Sequence, residues 1–309
     1  MHGHITSRCP SDLLSIAGRH NAIRTAIVNC SSLQTMNSAY LACQQGLLEP
    51  VLIGDKCSIE RHAKTLAWDI SAIRQVPSDS DSAAARIAVS LARSSEVAGL
   101  MKGDIATDVL LRAVIDKHNG ILCGSRLSHV FHLSVPEQAS AVCVTDAVIN
   151  VLPGLAEKLA IARNAVSLLH ALEIAMPRVA VLSGTEKANT SMPSSIEAEQ
   201  LAKLAAQGEI EGALLDGPVA MDIAVSANAA ALKGYKSDVS GQADVLLVPS
   251  VEAGNILFKA MVHYLGATAA GLVLGATAPI MLTSRSDPPE ARVASAALAS
   301  IYCAANATH

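Results

Sequence analysis

Residues 279–295 read Pro-Ile-Met-Leu-Thr-Ser-Arg-Ser-Asp-Pro-Pro-Glu-Ala-Arg-Val-Ala-Ser. The apolar run at 280–282 gives way to Thr283, Ser284, Arg285 and Ser286. Asp287-Pro288-Pro289-Glu290 then has the pattern of a helix start, with Asp287 at the N-cap, Pro288 at the first helical position and Glu290 reaching back to the cap. A strand thus delivers a hydroxyl and a guanidinium to a helix N-terminus, where α/β proteins bind phosphate and other anions. A guanidinium left unpaired at such a junction is costly, so Arg285 calls for an anionic ligand or an ion pair.

Five further polar clusters follow apolar runs. They are Lys102-Gly103-Asp104 with Arg112 downstream, and Ser125-Arg126-Leu127-Ser128-His129. Ser183-Gly184-Thr185-Glu186-Lys187 is followed by Asn189-Thr190-Ser191. Asp216-Gly217-Pro218 and Glu252-Ala253-Gly254-Asn255 with Lys259 complete the set. Together they offer cations, hydroxyls, amides and backbone that a ligand can approach, an inventory suited to a phosphate-bearing substrate. Each also has a plainer reading. Asp287 is accounted for by capping, Asp216-Gly217-Pro218 by a turn, and Arg126 and Lys259 by solvated surface.

The elements that must position these residues are legible as short apolar runs alternating with longer amphipathic segments. Strands are expected at 24–29, 51–54, 99–103, 129–135, 141–145, 179–182, 213–216, 245–248, 269–274 and 279–283. Helices are expected at 35–46, 58–66, 81–97, from 104 or 107, and at 154–173, 195–206 and 252–263. This alternation implies βαβ units and a mostly parallel sheet covered on both faces. Ligands of such sheets sit outside the carboxyl ends of the strands, which is where the polar clusters fall.

Composition narrows the function classes. The 309 residues are 51% hydrophobic but only 2% aromatic, and the net charge of -4 lacks the basic footprint of a nucleic-acid binder. The seven cysteines are irregularly spaced with no Cys-x-x-Cys, which points to a reducing cytoplasm. The ten histidines show no metal-ligand spacing, so no metal site is expected. Residues 264–282 carry no charge, but Gly266, Gly271, Gly275 and Pro279 favour two buried strands over a membrane helix. A Walker A loop, a Gly-x-Ser-x-Gly elbow and a dinucleotide fingerprint are all missing.

The order of several segments resembles the phosphate acetyl/butyryltransferase family. They are Leu100-Met101-Lys102-Gly103, Leu110-Leu111-Arg112-Ala113-Val114, Leu127-Ser128-His129-Val130, Thr145-Asp146-Ala147 and Asn189-Thr190-Ser191-Met192. Asp216-Gly217-Pro218, then residues 243–249, 252–259 and 278–287, continue it. The resemblance implies the reaction acyl-CoA + phosphate ⇌ acyl phosphate + CoA, by direct attack in a ternary complex. Coenzyme A is then a substrate and no cofactor is permanently bound. The implied fold is a two-domain α/β/α sandwich with mostly parallel sheets, like the isocitrate and isopropylmalate dehydrogenases. Residues 1–137 with 284–309 would form one domain and 138–283 the other, with the active site in the cleft and a homodimer as the usual assembly.

By matching position, Ser284 would meet the reacting carbonyl or thiol, Arg285 would hold phosphate or CoA, and Arg112 would also meet an anion. Lys102, Ser128, Asn255 and Lys259 would join them as substrate-binding residues. The acetyl-specific branch places an acid seven residues after the serine, where this chain has Ala291. Asp287, three residues after, follows the butyryl-type pattern and is the candidate base. Two other readings share the fold. One is a metal- and NAD-dependent dehydrogenase of the hydroxythreonine-phosphate type, which needs convergent His or Asp ligands. The other is a non-catalytic protein that binds CoA or acyl phosphate.

Overall fold

The computed structural model describes residues 10–307 except 125, 137, 139 and 283–286. The chain divides into two compact units, Met1–Gly124 with Ala270–His309, and Ser125–Ala269. The first unit begins with α1 (Ser11–Ala17), β1 (Ile23–Val28), α2 (Leu33–Gln44), β2 (Leu48–Gly54), α3 (Lys56–Thr65), β3 (Gln75–Pro77), α4 (Asp81–Arg93), β4 (Gly99–Lys102) and α5 (Thr107–Val114). The second unit follows with β5 (Ser128–Ser134), β6 (Val142–Thr145), α6 (Leu155–Ala171), β7 (Arg178–Leu182) and α7 (Pro193–Leu204). It continues with β8 (Leu214–Val219), α8 (Met221–Val225), α9 (Ala227–Leu232), β9 (Val245–Leu247) and α10 (Val251–Leu265). The chain then returns through β10 (Thr268–Leu274), β11 (Ile280–Met281) and α11 (Pro289–Asn306).

In the first unit the strand order is β3-β2-β1-β4-β11-β10, parallel except where β10 meets β11. β1 and β2 are buried at every position but one, as expected of parallel strands covered on both faces. Side-chain caps start the helices where the sequence allows, with Ser32, Asp55 and Ser80 accepting from the backbone of α2, α3 and α4. In α11 every residue from Ala291 to Ile301 is buried. Its alanines let it lie close against the sheet, and Ser295 satisfies its own hydroxyl by donating to Ala291 O while accepting from Gly271 N of β10.

The tightest backbone approach in this unit is at Gly103, just after β4. A Cβ there would meet the carbonyl oxygens of Asn29 and Val28 at 2.4 Å and Thr35 Cγ2 at 2.8 Å. Two of those atoms are backbone and cannot swing aside. Gly103→Ala is therefore expected to lower stability by about 2 kcal/mol, read as a shifted urea midpoint at unchanged slope. An unchanged midpoint would show that this junction is loosely packed.

In the second unit the order is β5-β6-β9-β7-β8, parallel except for the antiparallel β5–β6 pair. Phe131 of β5 stacks on Phe258 of α10, with ring centroids 3.8 Å apart and planes at 5°. Around this stack pack Leu133, Val144, Leu182, Val219, Ile223 and Leu246. Gly254 lets α10 press on the sheet, because a Cβ there would sit 2.8 Å from Val248 Cγ2 and 3.0 Å from Ala147 Cα.

Two local expectations are corrected. The N-cap of α11 is Pro288, with no side-chain cap, and Pro289 takes the first turn, so Asp287 does not cap the helix. Either proline fits a first helical position, and the helix begins one residue later than the capping pattern suggests. Asp216-Gly217-Pro218 is not a turn after a strand; all three residues lie inside β8. No helix among the described residues is long and apolar enough to cross a membrane, and the uncharged stretch at 264–282 contains the two strands β10 and β11.

Candidate active site

In the first unit, the carboxyl ends of β1 and β4 are knitted by side chains. Asn29 follows β1 with a φ of 62°, a left-handed conformation that Asn tolerates. Its amide donates to Asp81 Oδ1 at 2.7 Å and to Asp104 O at 2.9 Å. Ser31 donates to Asp104 Oδ2 at 3.0 Å. Lys102 ends β4 at this edge, and its ammonium reaches Gly103 O at 3.4 Å. Arg112 lies on the exposed face of α5, paired with Asp108 at 2.9 Å across one helical turn. Exposed i,i+4 pairs of this kind are worth about 0.3–0.5 kcal/mol, so a phosphate could compete for the guanidinium.

β11 runs parallel to β4 with Met281 opposite Met101, so Leu282 lies at the edge that carries Lys102. Ser284 and Arg285, the leading sequence candidates, fall outside the described residues. Asp287 is described and partly buried. Its carbonyl accepts from Arg292 Nε at 3.2 Å, and Arg292, only 6% exposed, also donates to Ser38 Oγ of α2 at 2.9 Å. Burial lowers the Arg292 pKa and the Asp287 charge opposes that shift. The backbone just after the Ser284-Arg285 pair is therefore tied to α2 through one buried guanidinium.

In the second unit the register Val130↔Thr145 and Thr145↔Leu247 brings the start of β5, the end of β6 and the end of β9 to one edge. Ser128 is fully buried there, and its hydroxyl accepts from Asn164 Nδ2 at 2.8 Å. The same amide donates to Arg126 O at 3.2 Å. Asn255, in the second turn of α10, reaches Ala147 O at 3.4 Å. Lys259, one turn further along, is exposed.

The centre of this edge was not singled out by sequence reasoning. Asp146 accepts from the backbone N–H groups of Val148 at 2.8 Å and Ile149 at 3.0 Å, and from Asn150 Nδ2 at 2.6 Å. Burial raises its pKa and those hydrogen bonds oppose the rise. Asn150 also donates to Leu127 O at 2.9 Å, and its carbonyl oxygen accepts from Arg126 at 3.0 Å. Arg126 pairs in addition with Glu157, whose other oxygen accepts from Gly154 N at 2.7 Å at the start of α6. Asp146 stands in the Thr145-Asp146-Ala147 segment of the family pattern and Arg126 in a polar cluster, but nothing in the sequence joins either to Asn150.

Beside it, His129 is fully buried and neither ring nitrogen has a hydrogen-bond partner. Its ring lies 4.2 Å from that of Phe131, and burial pulls its pKa from 6.5 down to about 3, so it is neutral near pH 7.

Two sheet-centred units, with hydroxyls, amides and cations gathered at the carboxyl ends of their strands, define an α/β protein equipped for anionic small molecules. The particular family follows from comparison with known proteins. Residues 80–300 match the family described as phosphate acetyl/butaryl transferase. The phosphate acetyltransferase of Rickettsia felis is 42% identical over 291 residues, covering 94% of this chain and 83% of that protein. The phosphate butyryltransferase of Clostridium beijerinckii is 37% identical over 265 residues, covering 86% of this chain and 88% of that one. The chain belongs to the phosphate acetyl/butyryltransferase family.

The crystal structure of a branched-chain phosphotransacylase from Enterococcus faecalis superposes with a TM-score of 0.79 at 28% identity, covering 91% of this chain and 99% of that one. A 4-hydroxythreonine-4-phosphate dehydrogenase from Burkholderia phymatum matches at a TM-score of 0.54 and 13% identity, over 92% of this chain and 98% of that one. That second likeness shows a shared fold and no more.

Proposed function

We propose that the protein is a phosphate acyltransferase that moves a short acyl group, acetyl or butyryl, between CoA and inorganic phosphate. The observation that carries this reading is family-level identity running through nearly the whole chain, 94% of it against the Rickettsia felis enzyme. The polar strand ends agree with it, since both substrates are anions and the reaction needs cations and donors rather than a protein nucleophile. The dehydrogenase reading has fold-level likeness alone at 13% identity. The non-catalytic reading gains no observation of its own.

In the direction of acyl-CoA synthesis, the CoA thiol gives up its proton and its sulfur attacks the acyl phosphate carbonyl. A C–S bond forms, the C–O bond to phosphate breaks, and inorganic phosphate leaves with the electron pair. Ser284 is proposed to donate to the carbonyl oxygen as it gains charge, and Arg285 to hold the phosphate. Asp287 is proposed as the base. The acetyl-branch position is occupied by Ala291, which cannot take a proton, and Asp287 is the acid at the butyryl-type position. Lys102, Arg112, Ser128, Asn255 and Lys259 are proposed to bind the anionic and amide portions of the substrates.

No permanent cofactor is proposed. A homodimer in the cytoplasm is the proposed working form.

The test is release of thiol from acetyl-CoA or butyryl-CoA by purified protein in the presence of phosphate. Absence of phosphate-dependent release with every short acyl-CoA would sink the reading. Arg285→Ala is expected to cut turnover more than about tenfold, the loss of one charge-assisted contact in the transition state. Unchanged kinetics would remove Arg285 from the site.

A further inference from the structure

We propose that Arg126 is a further anion-binding residue of this reaction, taking a phosphate group of CoA or inorganic phosphate, and that Asn150 is the residue that positions it. The inference rests on the acyltransferase reading and deepens it. The family resemblance assigned no role to either side chain, and Arg126 has a plainer reading in the sequence as solvated surface.

The Arg126 guanidinium is held from two sides. One terminal nitrogen donates to Asn150 Oδ1 at 3.0 Å and the other pairs with Glu157. A guanidinium has five N–H donors in a planar fork. Among the described residues these are its only side-chain partners, so three donors stay unbonded in a group whose plane is fixed from two sides. Its side chain is 42% exposed, so the fork is open to a ligand. A planar fork held in place, with donors to spare, is the geometry that binds phosphate oxygens in pairs.

Next comes what holds the holder. Asn150 is 5% exposed, and its side-chain amide accepts from Arg126 while both its N–H donors go to Leu127 O and Asp146 Oδ2. Asp146 is in turn fixed by the backbone of Val148 and Ile149. An exposed Arg–Glu pair on its own is worth at most about 1 kcal/mol and needs no buried support. Here a buried carboxylate orients a buried amide, which orients the arginine.

Place completes the case. Arg126 stands two residues before Ser128, and Asn164 bonds both the Arg126 carbonyl and the Ser128 hydroxyl. Both residues precede or open β5, at the edge where β6 and β9 end.

The experiment measures kcat and the two KM values, for phosphate at saturating acyl-CoA and for acyl-CoA at saturating phosphate. The variants are Arg126→Gln, Arg126→Lys, Asn150→Ala and the Arg126→Gln/Asn150→Ala pair. Arg126→Gln is expected to raise one of the two KM values at least tenfold with a smaller change in kcat. Which KM moves tells inorganic phosphate from CoA. Arg126→Lys should recover part of the loss by restoring the charge without the fork. Asn150→Ala should raise the same KM, and the double variant should be no worse than Arg126→Gln alone, because the amide acts only through the arginine.

Both KM values within twofold of wild type in a folded Arg126→Gln protein would overturn the proposal. So would equal damage from Arg126→Lys and Arg126→Gln, or an Asn150→Ala effect that adds in full to that of Arg126→Gln. Wild-type protein without phosphate-dependent thiol release would overturn the acyltransferase reading instead, before any variant is compared.

Discussion

Unfolding in urea should become easier when the pH falls from 7.5 to 4.5, with His129 alone contributing about 2–3 kcal/mol of the loss. The ring is fully buried, makes no hydrogen bond, and its pKa in the folded protein is about 3 against an ordinary 6.5. The folded state therefore stays neutral at this position while the unfolded chain takes up a proton below pH 6.5. A folded pKa that is depressed for a base means stability is complete above pH 6.5. It is lost as the pH falls from there toward 3, at about 1.4 kcal/mol per pH unit for one proton. His132 acts in the same direction, with its pKa lowered by burial to about 4, and adds a loss of similar size over this range.

Asp146 opposes them. Its pKa is raised by burial, so protonating it as the pH falls favours the folded state. Four hydrogen bonds hold that rise in check, which leaves the histidines in control of the slope. Against a typical total of 5–15 kcal/mol, the expected loss is a large share. His129→Leu, similar in bulk and without ionisable nitrogens, should flatten the pH dependence by about one proton. An identical slope in that variant would place the acid sensitivity elsewhere.

The same histidine shows what a sequence can and cannot disclose. His129 was readable as a residue at the start of a strand, and β5 does begin at Ser128. Its contact with Phe131 lies within one strand, but the stacking of Phe131 on Phe258 of α10 depends on packing between elements more than a hundred residues apart in the chain. The repeating apolar runs were long enough to reveal the other strands and the longer helices. β3, of 3 residues, and α8, of 5, are too short to show a period and were missed.

Among the candidate site residues, the positions of Lys102 and Ser128 at strand ends were legible, because position relative to a strand is written locally. The Arg126–Asn150–Asp146 chain was not. Its defining bonds join residues 24 apart and place a carboxylate under a strand end, and no local pattern encodes that. The cap assigned to Asp287 failed for a simpler reason. Pro288 and Pro289 both satisfy the rule for a first helical position, and the sequence offers no means of choosing between them.

A second large effect is expected where α6 meets α7. Lys158 is 2% exposed along its side chain and pairs with Glu197, which is 33% exposed. The structure buries its ammonium, and that makes the two partners unequal. Glu197→Gln leaves a charge buried with no carboxylate beside it, and should cost about 3 kcal/mol. Lys158→Met removes the charge with the volume nearly kept, leaves Glu197 with a route to water, and should change stability by less than about 1 kcal/mol. Equal losses from the two variants, measured by urea unfolding, would mean that the pair is held by attraction rather than by the need to cover a buried cation. The asymmetry bears on the site, because Lys158 directly follows Glu157, the partner of Arg126. Pinning Lys158 to α7 fixes the rotation of the first turn of α6. The carboxylate that orients Arg126 is therefore held by the fold of the second unit itself.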